Sequence, residues 1–203
     1  TFHCCMNVVA LFSGRAYNII CELLGSNWYA VAATVALGAL AVCHIVYAFI
    51  LTAQNRSARG ANRYEVTAKP ETVEWASQNM LVLGIIVLLG LALHLFNFWY
   101  NMMFAELVGM HTVLEPTDGF GLIRATFQTK VYVILYVIWI VALWYHLSHG
   151  FWSSMQTIGI NGKVWFNRWK VIGTVYVTLL MLAFLVVVLA FAFGCAPSLH
   201  CAA

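Results

Sequence analysis

Polar and apolar positions in this chain do not alternate with an amphipathic period. They fall into long apolar blocks separated by shorter polar ones. Four blocks, at about 28–52, 78–104, 126–157 and 169–193, are each long enough for a helix to cross a bilayer core, which takes about 20 apolar residues. Each block is apolar on all sides, as a helix in lipid must be, rather than along one stripe. A fifth block, at about 1–12, is apolar but too short to cross alone, and it is expected to be the second half of a span. The pattern predicts an all-α integral membrane protein. It has five transmembrane helices, the first truncated at its N-terminus, in a single bundle over residues 1–203.

Composition sharpens this reading. Of 203 residues 63% are hydrophobic and 8% charged, whereas a soluble domain carries about 25% charged residues. There is too little charge to cover a water-facing surface, so membrane lipid is the expected surrounding. No basic run long enough to hold a phosphate backbone is present, which argues against nucleic acid as a partner. The cations are placed unevenly. Arg56, Arg59, Arg63 and Lys69 lie between the second and third blocks, and Lys163, Arg168 and Lys170 between the last two. Cytoplasmic loops are enriched in Lys and Arg, so both connections are expected inside, with the N-terminus cytoplasmic and the C-terminus outside. Trp28, Trp75, Trp99, Tyr100, Trp152, Trp165 and Trp169 cluster near block ends, as interfacial aromatics do.

The remaining chemistry lies inside the blocks. The acidic residues Glu22, Glu65, Glu71, Glu74, Glu106, Glu115 and Asp118 all fall in connections. An ion pump or proton-coupled transporter usually needs a carboxylate at membrane depth, which argues against those classes; the ionisable groups within the blocks are histidines instead. His3, His44, His94, His146 and His149 lie within blocks, while His111 and His200 lie in a loop and the tail. Two neutral imidazoles facing each other at one depth form the axial ligand set of a b-type haem. With 1.5 Å of rise per residue, His44 lies toward the cytoplasmic side, at the level of His146 or His149. His3 and His94 fall in the outer half. His149 shares a stripe with Tyr145, Ser153 and Gln156, and His94 one with Asn97 and Asn101, whereas His146 is flanked by Ala142 and Gly150. Gly38, Gly84 and Gly90 offer close approach to a helix or to a flat macrocycle. The six cysteines form neither a Cys-x-x-Cys-His motif nor a zinc pattern. Cys4, Cys5, Cys21 and Cys43 read as small apolar fillers, and Cys195 and Cys201 as candidates for a disulfide.

Four segments carry a resemblance: FHCCMNVVALFS, CHIVYAFILTAQNRSARG, GLALHLFNFWYN and WYHLSHGFWSSMQTIG. In order and in the placing of their histidines they resemble the di-haem cytochrome b subunit of bacterial succinate:quinone oxidoreductases, the group of succinate dehydrogenase and quinol:fumarate reductase. The resemblance implies two haem b groups with axial ligands at His3, His44, His94 and His149, the last through the pair His149-Gly150, with His146 as a neighbour or alternative ligand. It implies a flavoprotein and an iron–sulfur subunit on the cytoplasmic side of the bacterial inner membrane. The expected role is that of the quinone-reactive, electron-transferring subunit of an oxidoreductase complex, using menaquinone or another quinone and not touching the dicarboxylate. A cytochrome b subunit of a hydrogenase or formate dehydrogenase, or a haem-free multipass transporter, are the competing readings. Quinone chemistry also moves protons. Glu22, in the apolar run IICELLGSNW, is the expected proton acceptor for quinol, partly buried at the outer interface with a raised pKa.

Overall fold

The computed structural model describes residues 1–25, 27–160 and 162–199, apart from 60–73. Among these residues every regular element is helical. The elements are α1 (Phe2–Phe12), α2 (Gly14–Leu24), α3 (Trp28–Arg59), α4 (Trp75–Gln78) and α5 (Met80–His94). α5 runs on as a π-helical stretch, Leu95–Phe104, and then α6 (Ala105–Val108). α7 (Gly119–Gln128), α8 (Lys130–Ile158), α9 (Lys163–Ala192) and a 3-10 turn, Pro197–Leu199, complete the chain. Four helices are long and apolar enough to cross a membrane: Trp28–Ala58, Met80–Val108, Lys130–Ile158 and Lys163–Leu199. α1 is apolar but shorter. The basic connection at 60–69 and the tail residues His200 and Cys201 lie outside the described residues.

Two boundaries differ from the sequence expectation. The helix of the block at 126–157 begins at Lys130, because Thr129 adopts an extended conformation and separates it from α7. The amphipathic character of α7 was hidden within an apolar run. The last helix begins at Lys163, with Lys163, Arg168 and Lys170 already on its first turns. One end of the bundle is therefore basic. The opposite, far end carries α2, α6, α7 and the C-terminal turn.

In lipid an unpaired polar group is costly, and the packed helices supply partners for several. α8 and α9 share the most extensive contact of the described helices; Trp144 Nε1 donates to Thr178 Oγ1 at 2.8 Å, and the Phe151 ring lies over Gly173. Trp139 Nε1 donates to the Val87 carbonyl at 3.0 Å, pinning α8 to α5. At the far end α1 stops at Ser13, whose hydroxyl accepts from Ala16 N and starts α2. A terminated helix leaves its last carbonyls unpaired; the buried Ser198 hydroxyl takes up one of them, the Ala10 carbonyl, at 2.7 Å. Asp118 caps α7 through Gly121 N at 2.9 Å and accepts from Asn18 Nδ2 at 2.8 Å, while Asn18 Oδ1 accepts from Phe120 N at 2.8 Å. This clasp locks α2 onto α7. The core runs from Ala10 and Leu11 through Ile123, Phe127 and Tyr136 to Val188 and Phe191. α3 has no buried residue along its most apolar window.

Candidate haem-ligand site

Four of the five histidines in the apolar blocks gather into two pairs. At the far-end level the His3 and His94 rings lie 5.8 Å apart, centroid to centroid, with planes 80° apart. Toward the basic end the His44 and His146 rings lie 6.1 Å apart, with planes 79° apart. An imidazole nitrogen binds a metal at about 2.0 Å. Adding about 1.1 Å from that nitrogen to the ring centroid, two rings on one metal have centroids about 6.2 Å apart. Both pairs fall within 0.5 Å of that value.

The pairs sit at two depths. Gly84 faces His146, with 3.8 Å between a Cβ built there and the His146 ring. Ten residues later on the same helix, His94 belongs to the other pair. At 1.5 Å per residue the two levels are about 15 Å apart along the bundle.

Each pair has its own surroundings. His94 is held in an aromatic nest, with Trp139 at 5.5 Å, Phe98 at 5.2 Å and Tyr136 at 6.3 Å; Phe184 of α9 closes on His3 at 5.8 Å. Asn7 donates to the His3 carbonyl at 2.8 Å and accepts from the Tyr17 hydroxyl at 3.3 Å, so α2 braces the first histidine. His146 lies one turn beyond Ala142, which is buried against Leu83, Ile86 and Val87. The same face of α8 thus points to α5, and its small residues leave the imidazole space. The buried Nδ1 atoms of both His94 and His146 have no hydrogen-bond partner. Orphaned buried nitrogens in paired imidazoles at metal-bridging separation fit a haem between each pair. Among the described residues no three His, Cys, Asp or Glu come together as a metal cage.

His149 lies elsewhere. Three residues past His146 it has turned off that face, and its Nδ1 lies 3.2 Å from Glu74 Oε2. Its ring packs on Trp152 at 4.7 Å. Lys170 Nζ donates to Glu74 Oε1 at 2.7 Å and lies over the Trp152 ring at 4.5 Å. Burial alone would raise the Glu74 carboxyl, but the hydrogen bonds from Lys170 and His149 outweigh it and hold it below the ordinary carboxylate range. The ring facing His44 is therefore that of His146, and His149 ties α4, α8 and α9 together at the basic end. On the stripe that His149 shares with Tyr145, Ser153 and Gln156, Tyr145 packs on Trp75 of α4 at 5.1 Å. The signal for His146 was the pair of small neighbours, Ala142 and Gly150.

Glu22 was expected to be partly buried, and it is exposed. α2 is amphipathic: Tyr17 and Cys21 turn inward, where burial raises both side chains, Cys21 to about 11. That periodicity carries Glu22 to the exposed face of α2. Of the other acidic residues at the far end, Glu115 is exposed and Glu106 is half-buried. Among the glycines, Gly90 is covered by the Trp139 indole, while Gly38 meets nothing. Compared with protein-family models, curated protein sequences and solved structures, the chain finds no match in any of the three.

Proposed function

We propose that this chain is a di-haem cytochrome b of the succinate:quinone oxidoreductase kind. In this reading it anchors a flavoprotein and an iron–sulfur subunit at the cytoplasmic membrane and passes electrons between them and a membrane quinone. The observation that carries the reading is the pairing of four histidines from four helices, His3 with His94 and His44 with His146, at separations that suit one iron between each pair. The resemblance of the four histidine-bearing segments points the same way.

The residues have distinct tasks. His3, His94, His44 and His146 would hold the two haems; His146 replaces His149 in the ligand set because it is the one that faces His44. Haem supplies one-electron redox chemistry when bound. The aromatic nest around His94 excludes water, and the Trp139 bond to Val87 fixes the height of that nest. At the basic end Lys163, Arg168 and Lys170 offer cations to a partner subunit on the cytoplasmic side.

The test is a pyridine haemochrome count per chain, with identification of the co-purifying subunits. Two haems with a flavoprotein and an iron–sulfur protein support the reading. A chain without haem returns it to the multipass transporter class, and a co-purifying hydrogenase or formate dehydrogenase assigns the anchor to that complex. Labelling of Lys163 from outside intact cells would reverse the orientation.

A further inference from the structure

Next to His3 runs a line of polar groups that the pairing of the histidines does not itself require. It begins at Gly119, the first residue of α7, where backbone N–H groups have no partner within the helix. The Gly119 N–H donates to Cys21 Sγ, and Cys21 is hydrogen-bonded in turn to the Tyr17 hydroxyl. The packing is tight enough that a Cβ on Gly119 would collide with both Cys21 Sγ and the Tyr17 ring. The Tyr17 hydroxyl donates to Asn7 Oδ1 at 3.3 Å. Asn7 Nδ2 donates to the His3 carbonyl at 2.8 Å, and it lies 3.4 Å from His3 Nδ1 and 3.5 Å from His3 Nε2. Three elements, α7, α2 and α1, thus contribute to one line that ends on an imidazole.

The donors in this line are ordered. Tyr17 has a single O–H, and it goes to Asn7. Cys21 therefore gives its S–H to the Tyr17 oxygen, and burial keeps both groups protonated. The Asn7 amide has two N–H bonds. One is used on the His3 carbonyl, and the other faces the His3 ring. Each link points toward His3. Hydrogen bonds in series polarise one another, and this series starts at a helix N-terminus, which carries partial positive charge. Its positive end lies against the imidazole. His94 and His146 have no such neighbour, since their buried Nδ1 atoms have no partner.

We propose that the line from Cys21 through Tyr17 and Asn7 positions His3 and tunes the far-end haem, raising its reduction potential. The inference rests on the redox reading above. Hydrogen bonds around an axial ligand are among the means by which a protein sets a haem potential. An N–H dipole with its positive end against a ligand ring disfavours the oxidised site, which carries one more positive charge. Asn7 and Tyr17 are positioning residues, acting on the iron only through His3. Asn7 also restrains the ring together with Phe184, 5.8 Å away, and so helps hold the 80° angle to His94.

The experiment is a redox titration of the purified whole complex, followed by the visible haem bands, with low-temperature EPR. The far-end haem is identified as the one lost in His94→Ala. Asn7→Leu keeps the bulk and removes the amide. It is expected to shift that haem's one-electron equilibrium about tenfold toward the oxidised form, a potential lower by about 59 mV, and to change its EPR anisotropy. Tyr17→Phe removes only the hydroxyl, and a shift of about threefold in the same direction is expected, about 28 mV by the same conversion. Cys21→Ala should follow with a smaller shift, while Cys21→Ser keeps a donor and should stay near the parent. The basic-end haem, about 15 Å away along the bundle, should keep its potential in every variant. An unmoved far-end potential in Tyr17→Phe and Asn7→Leu would overturn the proposal. So would equal shifts of both haems, which mean general loosening, or a Cys21→Ser shift as large as that of Cys21→Ala. A parent complex without haem sinks the redox reading itself.

Discussion

Replacing Gly90 by Ala tests how α5 and α8 set the height of the far-end histidine pair. A Cβ at residue 90 falls inside the Trp139 indole. That indole cannot swing aside freely. It is bonded to the Val87 carbonyl at 3.0 Å, packs on His94 at 5.5 Å and meets Tyr136 at 5.7 Å. Overpacking a filled site costs about 1–3 kcal/mol, and losing a hydrogen bond between buried groups about 1 kcal/mol more. Together they predict a loss of about 2–4 kcal/mol. For a chain of this size 1 kcal/mol moves Tm by about 2–4 °C, so Tm should fall by about 4–16 °C. Gly84→Ala is the control, since a Cβ there reaches only ordinary contact, at 3.8 Å from His146, and Gly38→Ala meets nothing. Thermal unfolding in detergent, followed by tryptophan fluorescence, compares the three. If Gly90→Ala melts with Gly84→Ala, the packing of Trp139 does not fix the helix pair and the argument fails.

Three further outcomes are expected. His146→Ala should halve the haem content while His149→Ala keeps both haems, as counted by pyridine haemochrome; the reverse result restores His149 as the ligand. Because the ring planes in the two pairs stand 80° and 79° apart, frozen oxidised protein should give strongly anisotropic low-spin EPR signals, and a rhombic spectrum of parallel rings would contradict those angles. Glu74 carries a lowered pKa, so its contribution to stability is complete above the ordinary value of 4.5 and is lost as pH falls through the lowered one. With 39% of the Glu74 side chain exposed, that contribution is under about 1 kcal/mol. Urea unfolding of Glu74→Gln should match the parent at low pH and fall below it at pH 7; a deficit unchanged across that range would mean the ion pair is not its source.

The sequence by itself determined the helical class, the apolar length of the spans and which ionisable residue type lies within them. Twenty-odd apolar residues in a row leave the backbone no partner but itself, so helix follows from lipid alone. Histidines at membrane depth stand out for the same reason. Depth, a quantity linear in residue number, also selected His3 with His94 and placed His44 opposite the end of the fourth block. It left His146 and His149 open, because three residues are only about 4.5 Å of rise. What separates them is azimuth, and azimuth depends on which neighbour each face meets. Tertiary structure decided it: Ala142 and Gly84 open a space for His146, while Glu74 and Lys170 draw His149 to the basic end. Glu22 and Glu106 divided on the same ground. An apolar neighbourhood in sequence made Glu22 look buried, yet the amphipathic turn of α2 carries it to the exposed face. Glu106, set in a polar stretch of sequence, is enclosed by Gly25 from the preceding connection. A block pattern records how far along the bundle a residue lies, and only packed helices decide which way it faces.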